Sequence, residues 1–117
     1  MYTICKRFRF EAAHRLPIEG HKCSGVHGHS YTVEVYLKSN TLDVNGMVKD
    51  FGDISRAWKT LKDNYDHQNL NNTMVETPTA ENIAKSVFSS LNLEFPDLIG
   101  KVRVRETADC WAEYSEC

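Results

Sequence analysis

The sequence predicts an α+β fold, a β-β-α-α-β-β order in which a four-stranded antiparallel sheet carries two helices on one face. Two observations lead there: period-2 alternation occurs at both ends of the chain, and two stretches of helical period lie between them. No repeat, low-complexity tract or Pro/Gly-rich linker divides the 117 residues, so residues 1–117 are expected to form one domain.

Each element has its own signal. From Tyr2 to Glu11, Tyr2, Ile4, Phe8 and Phe10 share one side while Thr3, Arg7 and Arg9 share the other, as in a strand. Tyr31 to Leu37 alternates more cleanly, with Tyr31, Val33, Val35 and Leu37 against Thr32, Glu34, Tyr36 and Lys38. These two strands are expected to pair antiparallel. Asn45-Gly46 marks a turn, and Met47 to Phe51 reads as a short extended return. Asp53 is placed to cap a helix whose apolar positions are Ile54, Ala57, Trp58, Leu61 and Tyr65. After a polar stretch, Asp66 to Thr77, Pro78-Thr79 opens a second helix with Ile83, Ala84, Val87, Phe88 and Leu91 on one stripe. Pro96 and Gly100 close it. Lys101 to Thr107 alternates again, with Val102, Val104 and Glu106 facing inward, and Trp111 to Tyr114 forms a last strand. The sheet's open edges favour pairing with another copy, a homo-oligomer.

Composition narrows the function classes. Hydrophobic residues at 41% and charged residues at 26% describe an ordinary globular chain. A net charge of -2 lacks the basic excess of a nucleic-acid or anionic-membrane binder, so neither partner is expected. Met1 to Phe10 has no apolar h-region, no run reaches a membrane span, and a cytoplasmic address follows as the expectation. The cysteines, Cys5, Cys23, Cys110 and Cys117, show no CxxC spacing and no disulfide framework is expected. Cys5, Cys110 and Cys117 read as small buried hydrophobes.

Three histidines have a spacing that chemistry can use. His27 and His29 flank Gly28, so in an extended segment both imidazoles point to one side and continue the face of Tyr31 to Leu37. His14 extends the Phe8, Phe10 and Ala12 face of the first strand. Two adjacent strands thus aim three imidazoles at one point, a ligand set suited to Zn2+ with a fourth position open for water or substrate. Cys23 lies four residues before His27 and leaves two readings open. As a fourth ligand it closes the site and makes it structural; as a free thiol near the cation it is a proton acceptor. His21 reads as a loop residue or a substitute ligand. Asp66-His67 sets a carboxylate beside an imidazole, a weak signal for a proton shuttle and more often that of a solvated loop. Glu106 on an inward strand face needs a neutralising partner, either an internal Arg or a bound heterocycle with an amidine or guanidine edge.

Five segments together resemble a known family: Phe10-Glu11-Ala12-Ala13-His14-Arg15-Leu16-Pro17, Cys23-Ser24-Gly25-Val26-His27-Gly28-His29, Asp66-His67-Gln68-Asn69-Leu70-Asn71, Pro78-Thr79-Ala80-Glu81-Asn82 and Arg105-Glu106-Thr107. In order and spacing they are similar to the 6-pyruvoyl-tetrahydropterin synthase family. The three-residue gap between Cys23 and His27 is nearer to its bacterial, carboxytetrahydropterin-forming branch, because the pyruvoyl-forming eukaryotic enzymes have a longer gap.

The resemblance implies the tunnelling fold (T-fold), assembled by sheet edges into a trimer or a dimer of trimers. It implies a lyase acting on 7,8-dihydroneopterin triphosphate in queuosine precursor synthesis, yielding 6-carboxy-5,6,7,8-tetrahydropterin, acetaldehyde and triphosphate. It assigns His14, His27 and His29 to zinc and Cys23 to proton acceptance. Asp66 and His67 become a relay supplied from an adjacent subunit, Glu106 the anchor of the pterin's amino-pyrimidine edge, and Thr79 and Glu81 added substrate contacts. Arg15 and Lys22 are candidates for the triphosphate. Two alternatives stand beside this reading: a 6-pyruvoyl-tetrahydropterin synthase on the same substrate, and a non-catalytic zinc module closed by Cys23.

Overall fold

Two long strands, β1 (Tyr2–His14) and β2 (His27–Ser39), form the axis of the structure, a computed structural model that describes residues 1–116. They pair antiparallel without a break, from Tyr2 opposite Ser39 to His14 opposite His27. Both outrun the alternation that announced them, because Ala12 to His14 and His27 to Ser30 stay in the ladder. The short β3 (Gln68–Asn69) runs parallel to β1 opposite Ala12 and Ala13. β4 (Ile99–Arg105) and β5 (Trp111–Tyr114) complete the order β3-β1-β2-β4-β5. The sheet is therefore five-stranded and mixed, where four antiparallel strands were predicted; a two-residue strand is too short to show a period.

The segment Met47–Phe51 is not a strand. Asp43 organises a turn there instead: its Oδ1 accepts from the Asn45 and Met47 amides at 2.8 and 3.0 Å, and Gly46 takes φ +79°. Helix α1 (Phe51–Leu61) begins earlier than predicted because Asp50, not Asp53, caps it, accepting from the Gly52 amide at 2.7 Å. Asp53 lies in the first turn and pairs with Arg56. A single turn, α2 (Leu70–Thr73), was not predicted; Asn69 caps it. Helix α3 (Ala80–Glu94) starts where Pro78-Thr79 indicated, with Thr79 Oγ1 accepting from the Asn82 amide at 3.2 Å.

Both long helices cover the same face of the sheet. α1 buries Ile54, Ala57, Trp58 and Leu61, and α3 buries Ile83, Ala84, Val87, Phe88 and Leu91, against Phe10, Tyr31, Val33, Val35 and Leu37. Each such side chain contributes roughly 1.5–3 kcal/mol when fully buried. Phe10 stacks on Tyr31, its cross-strand partner, with ring centroids 4.8 Å apart. Cys5 and Cys110 are exposed, which overturns their reading as buried hydrophobes; Cys117 lies outside the described residues. No helix is long and apolar enough to cross a membrane.

The other face is polar yet holds one buried charge. Glu34 is 5% exposed; it accepts from Arg7 Nη2 at 3.0 Å and Arg105 Nε at 2.9 Å, linking β1, β2 and β4. Burial pushes its carboxyl up, but the bonds from Arg105 and Arg7 outweigh that and leave it below its ordinary 4.5. A depressed folded value means this stabilisation is complete above pH 4.5 and lost as pH falls through the folded value. Glu34→Gln is expected to cost about 2 kcal/mol at neutral pH. Urea unfolding from neutrality to acid should show the wild-type and variant curves converging only below the ordinary carboxylate range.

Candidate metal centre

The end of the β1–β2 ladder gathers three imidazoles. His14 and His27 are cross-strand partners, and His29 faces the same side two residues further along β2. One ligand atom from each lies within 4.8 Å of the others. The rings meet edge to face, at centroid separations of 4.6 Å for His14–His27, 4.9 Å for His14–His29 and 4.8 Å for His27–His29.

Hydrogen bonding fixes what two of these rings present. His14 Nδ1 lies 2.7 Å from the Pro78 carbonyl, and His27 Nδ1 lies 2.8 Å from the Gly25 carbonyl. A carbonyl only accepts, so each Nδ1 carries the proton and each Nε2 presents a lone pair. Yet these two Nε2 atoms face each other at 3.0 Å. Two lone pairs at that distance repel unless a cation sits between them, either an extra proton on one ring or a metal ion. His29 Nε2 is buried with no partner at all. The donor set fits a divalent transition metal, with backbone carbonyls orienting the rings from behind.

The remaining candidates do not all converge. Cys23 is half-buried and stands outside the three-imidazole group. Its loop is closed by Leu16 N–H donating to the Cys23 carbonyl at 2.9 Å. His21 Nδ1 accepts the Cys23 amide at 3.0 Å, which makes it a loop-shaping residue rather than a ligand. Asp66 is anchored to β1, its Oδ1 accepting from the Glu11 amide at 2.9 Å. That bond, first, holds its carboxyl below the usual range against the opposing effect of burial, with His67 and Lys62 adding to the lowering. His67 donates its amide to the Glu11 carbonyl at 2.6 Å and takes φ +58°, an uncommon conformation for a non-glycine residue. Its side chain is 80% exposed, with Nε2 3.6 Å from Asp66 Oδ2. It lines an open depression of about 520 Å³ together with Glu11, Ala12, Gly28, His29 and Ser30.

Glu106 corrects one expectation. β4 ends at Arg105, so Glu106 stands in the turn after the strand, half-buried, with its amide donating to the Cys110 carbonyl at 3.0 Å. Among the described residues no Arg pairs with it, which removes the internal-partner reading. Its charge still reaches the site, opposing the burial that lowers His29 and adding to the burial that lifts the Tyr31 phenol far above its usual range. Thr79 is engaged as the α3 cap, and Glu81, Arg15 and Lys22 are exposed. Sequence reasoning missed the Pro78 and Gly25 carbonyls, because backbone acceptors carry no side-chain signal.

The fold and the site define the class: an α+β sheet whose two long strands gather at their end three histidines able to hold a metal ion. A family model described as 6-pyruvoyl tetrahydropterin synthase matches residues 3–117, and the chain belongs to that family. A protein of Archaeoglobus fulgidus is 45% identical over 105 residues, spanning 89% of this chain and 87% of its own. A protein of Synechocystis sp. named 6-carboxy-5,6,7,8-tetrahydropterin synthase is 38% identical over 120 residues, spanning 97% of this chain and 93% of its own. The solved Caenorhabditis elegans 6-pyruvoyl tetrahydropterin synthase aligns with a TM-score of 0.89 at 28% identity, covering 99% of this chain and 96% of that one.

Burial first, against the pull of Glu106 and with help from His14 and His27, holds His29 below its ordinary 6.5. Between the folded value and 6.5 the unfolded chain binds a proton that the folded chain refuses, so acid favours unfolding there. A divalent transition-metal ion at about 100 times its Kd is expected to raise the melting temperature of chelator-stripped protein by roughly 10 °C at neutral pH. Scanning calorimetry should show that increment shrinking as pH falls through the depressed folded value of His29, and His27→Ala should abolish it.

Proposed function

We propose that this chain is a zinc-dependent lyase that converts 7,8-dihydroneopterin triphosphate to 6-carboxy-5,6,7,8-tetrahydropterin, acetaldehyde and triphosphate, in queuosine precursor synthesis in the cytoplasm. The observation that carries the reading is the open trio of imidazoles, in a chain 38% identical over nearly its whole length to a protein named for that product. Three nitrogen ligands without the Cys23 thiol speak for an open site and against a closed structural one.

His14, His27 and His29 would hold the zinc, which when bound supplies a Lewis acid that polarises the substrate's side-chain oxygens and acidifies the adjoining C–H. Cys23, unligated and half-buried, is the acceptor for the proton removed from carbon. Asp66, kept ionised by the Glu11 amide, faces His67, and that pair returns a proton elsewhere on the substrate. Glu106, a carboxylate with no ion-pair partner among the described residues and whose charge is felt at His29 and Tyr31, accepts paired N–H bonds from the pterin's amino-pyrimidine edge. Thr79 and Glu81 stand at the start of α3, whose approach supplies the Pro78 carbonyl to His14, and they contribute secondary substrate contacts.

The relay needs a second copy of the chain. His67 is 80% exposed beside the edge strand β3, a position from which it can reach a neighbouring copy's site. Among the described residues β3 pairs only with Ala12 and Ala13, which leaves the β1 edge from Tyr2 to Phe10 open for such an assembly, a trimer or a dimer of trimers.

A second reading, 6-pyruvoyl-tetrahydropterin formation from the same substrate, is favoured by the likeness to the Caenorhabditis elegans structure. Incubation with dihydroneopterin triphosphate decides between them. Acetaldehyde released in step with triphosphate is the expected outcome, and a pyruvoyl product without acetaldehyde selects the second reading. Cys23→Ala is expected to lower turnover about 100- to 10,000-fold while keeping one metal per chain. Loss of the metal together with the activity returns Cys23 to a structural role.

A further inference from the structure

Among the described residues, two buried side-chain polar atoms have no hydrogen-bond partner: His29 Nε2 and the Tyr31 hydroxyl. Their positions are not independent. They are two residues apart on β2 and face the same side, with ring centroids 5.3 Å apart, and the Tyr31 ring also packs against His14 at 5.9 Å. Tyr31 is completely buried. A buried hydroxyl left unsatisfied is rare and costly. Tyr65, the other buried phenol, shows the usual arrangement, its oxygen 2.6 Å from Ser86 Oγ. Phenylalanine would serve the stack on Phe10 equally well, so packing gives no reason for an oxygen here.

The two orphans need complementary things. An imidazole lone pair is satisfied by an electron-pair acceptor, and a phenol O–H by an oxygen lone pair. A bare cation satisfies only the nitrogen. A cation that brings an oxygen ligand with it satisfies both.

We propose that Tyr31 is a positioning residue of the metal centre, its O–H donating a hydrogen bond to the oxygen ligand in the ion's open coordination place: water in the resting protein, a substrate oxygen in the complex. This rests on the three-histidine metal reading and extends it to the group that the ion presents. Tyr31 orients that oxygen and leaves proton transfer to other residues.

The test uses the purified full chain, stripped with a chelator and titrated with Co2+, whose visible bands report the ligands around the ion. Tyr31→Phe keeps the ring and deletes one atom. The proposal expects Co2+ to bind the variant about 10-fold or more weakly than wild type, as for other groups that support metal ligands, with altered visible bands. It also expects the stripped variant to melt no lower than the stripped wild type, because the deleted hydroxyl had no partner there. Affinity within about twofold of wild type and unchanged bands overturn it. So does an equal drop in melting temperature with and without Co2+, which would show the hydroxyl bonded to a trapped water or a protein group before any metal arrives. A wild-type protein that binds no Co2+ would overturn the metal reading itself, an outcome separate from a wild type and variant that bind alike.

Discussion

The pairing of His14 with His27 is the constraint on which the site depends. Imidazoles on two strands share one side only if the ladder keeps its register, and a slip of one residue would turn one set to the opposite face. The core enforces that register directly. Phe10 lies opposite Tyr31 and stacks on it, and both sit under the aromatic rings of α1 and the turn after it: Trp58 and Tyr65 are within 6.1 and 5.6 Å of Phe10 by ring centroid. Displacing the register by one residue would break this stack and expose Val33, Val35 and Leu37 together. The metal geometry thus inherits its precision from apolar packing a few residues away.

The same argument explains what was legible in the sequence. Period-2 and period-3.6 patterns record which side of an element meets the core, so β1, β2, β4, α1 and α3 could be read from them, and the convergence of His14, His27 and His29 followed from continuing two faces beyond their apolar residues. The parts that eluded reading are the ones held by backbone bonds. β3 lies beside β1 because Asp66 and His67 bind the two backbone groups of Glu11, a contact between residues 55 and 56 positions apart in sequence that leaves no periodic trace. The α1 start moved to Asp50 because two aspartates compete for the cap and only the local turn decides between them. Glu106 continued the inward parity of Val102 and Val104, but parity says nothing about where a strand stops.

The two faces of the sheet divide the labour. The covered face presents three imidazoles and a buried phenol, with His14 fully buried and His27 and His29 half-buried. The polar face ties its three central strands together through Glu34, while His67, just before β3, holds a conformation that costs about 1–2 kcal/mol for a residue with a Cβ. Glu11 bridges the two arrangements: its amide and carbonyl hold Asp66 and His67, while its carboxylate accepts from Ser30 Oγ at 2.6 Å on the strand that carries His29. A shift of the Asp66–His67 segment is therefore felt along β2 next to His29.

The energetics distinguish this centre from a structural metal site. A structural zinc supplies the free energy that folds its domain, because little else holds the ligands in place. Here the ligands belong to strands fixed by a core of 22 apolar residues. Against that core the empty site is a real cost: an unsatisfied phenol, an unsatisfied imidazole nitrogen and a repulsive Nε2 pair, at about 1–3 kcal/mol each. The chain can hold the three imidazoles in place before any ion arrives. An ion bound there would not have to spend its binding energy on folding, which is what separates a preformed ligand group from a structural zinc site.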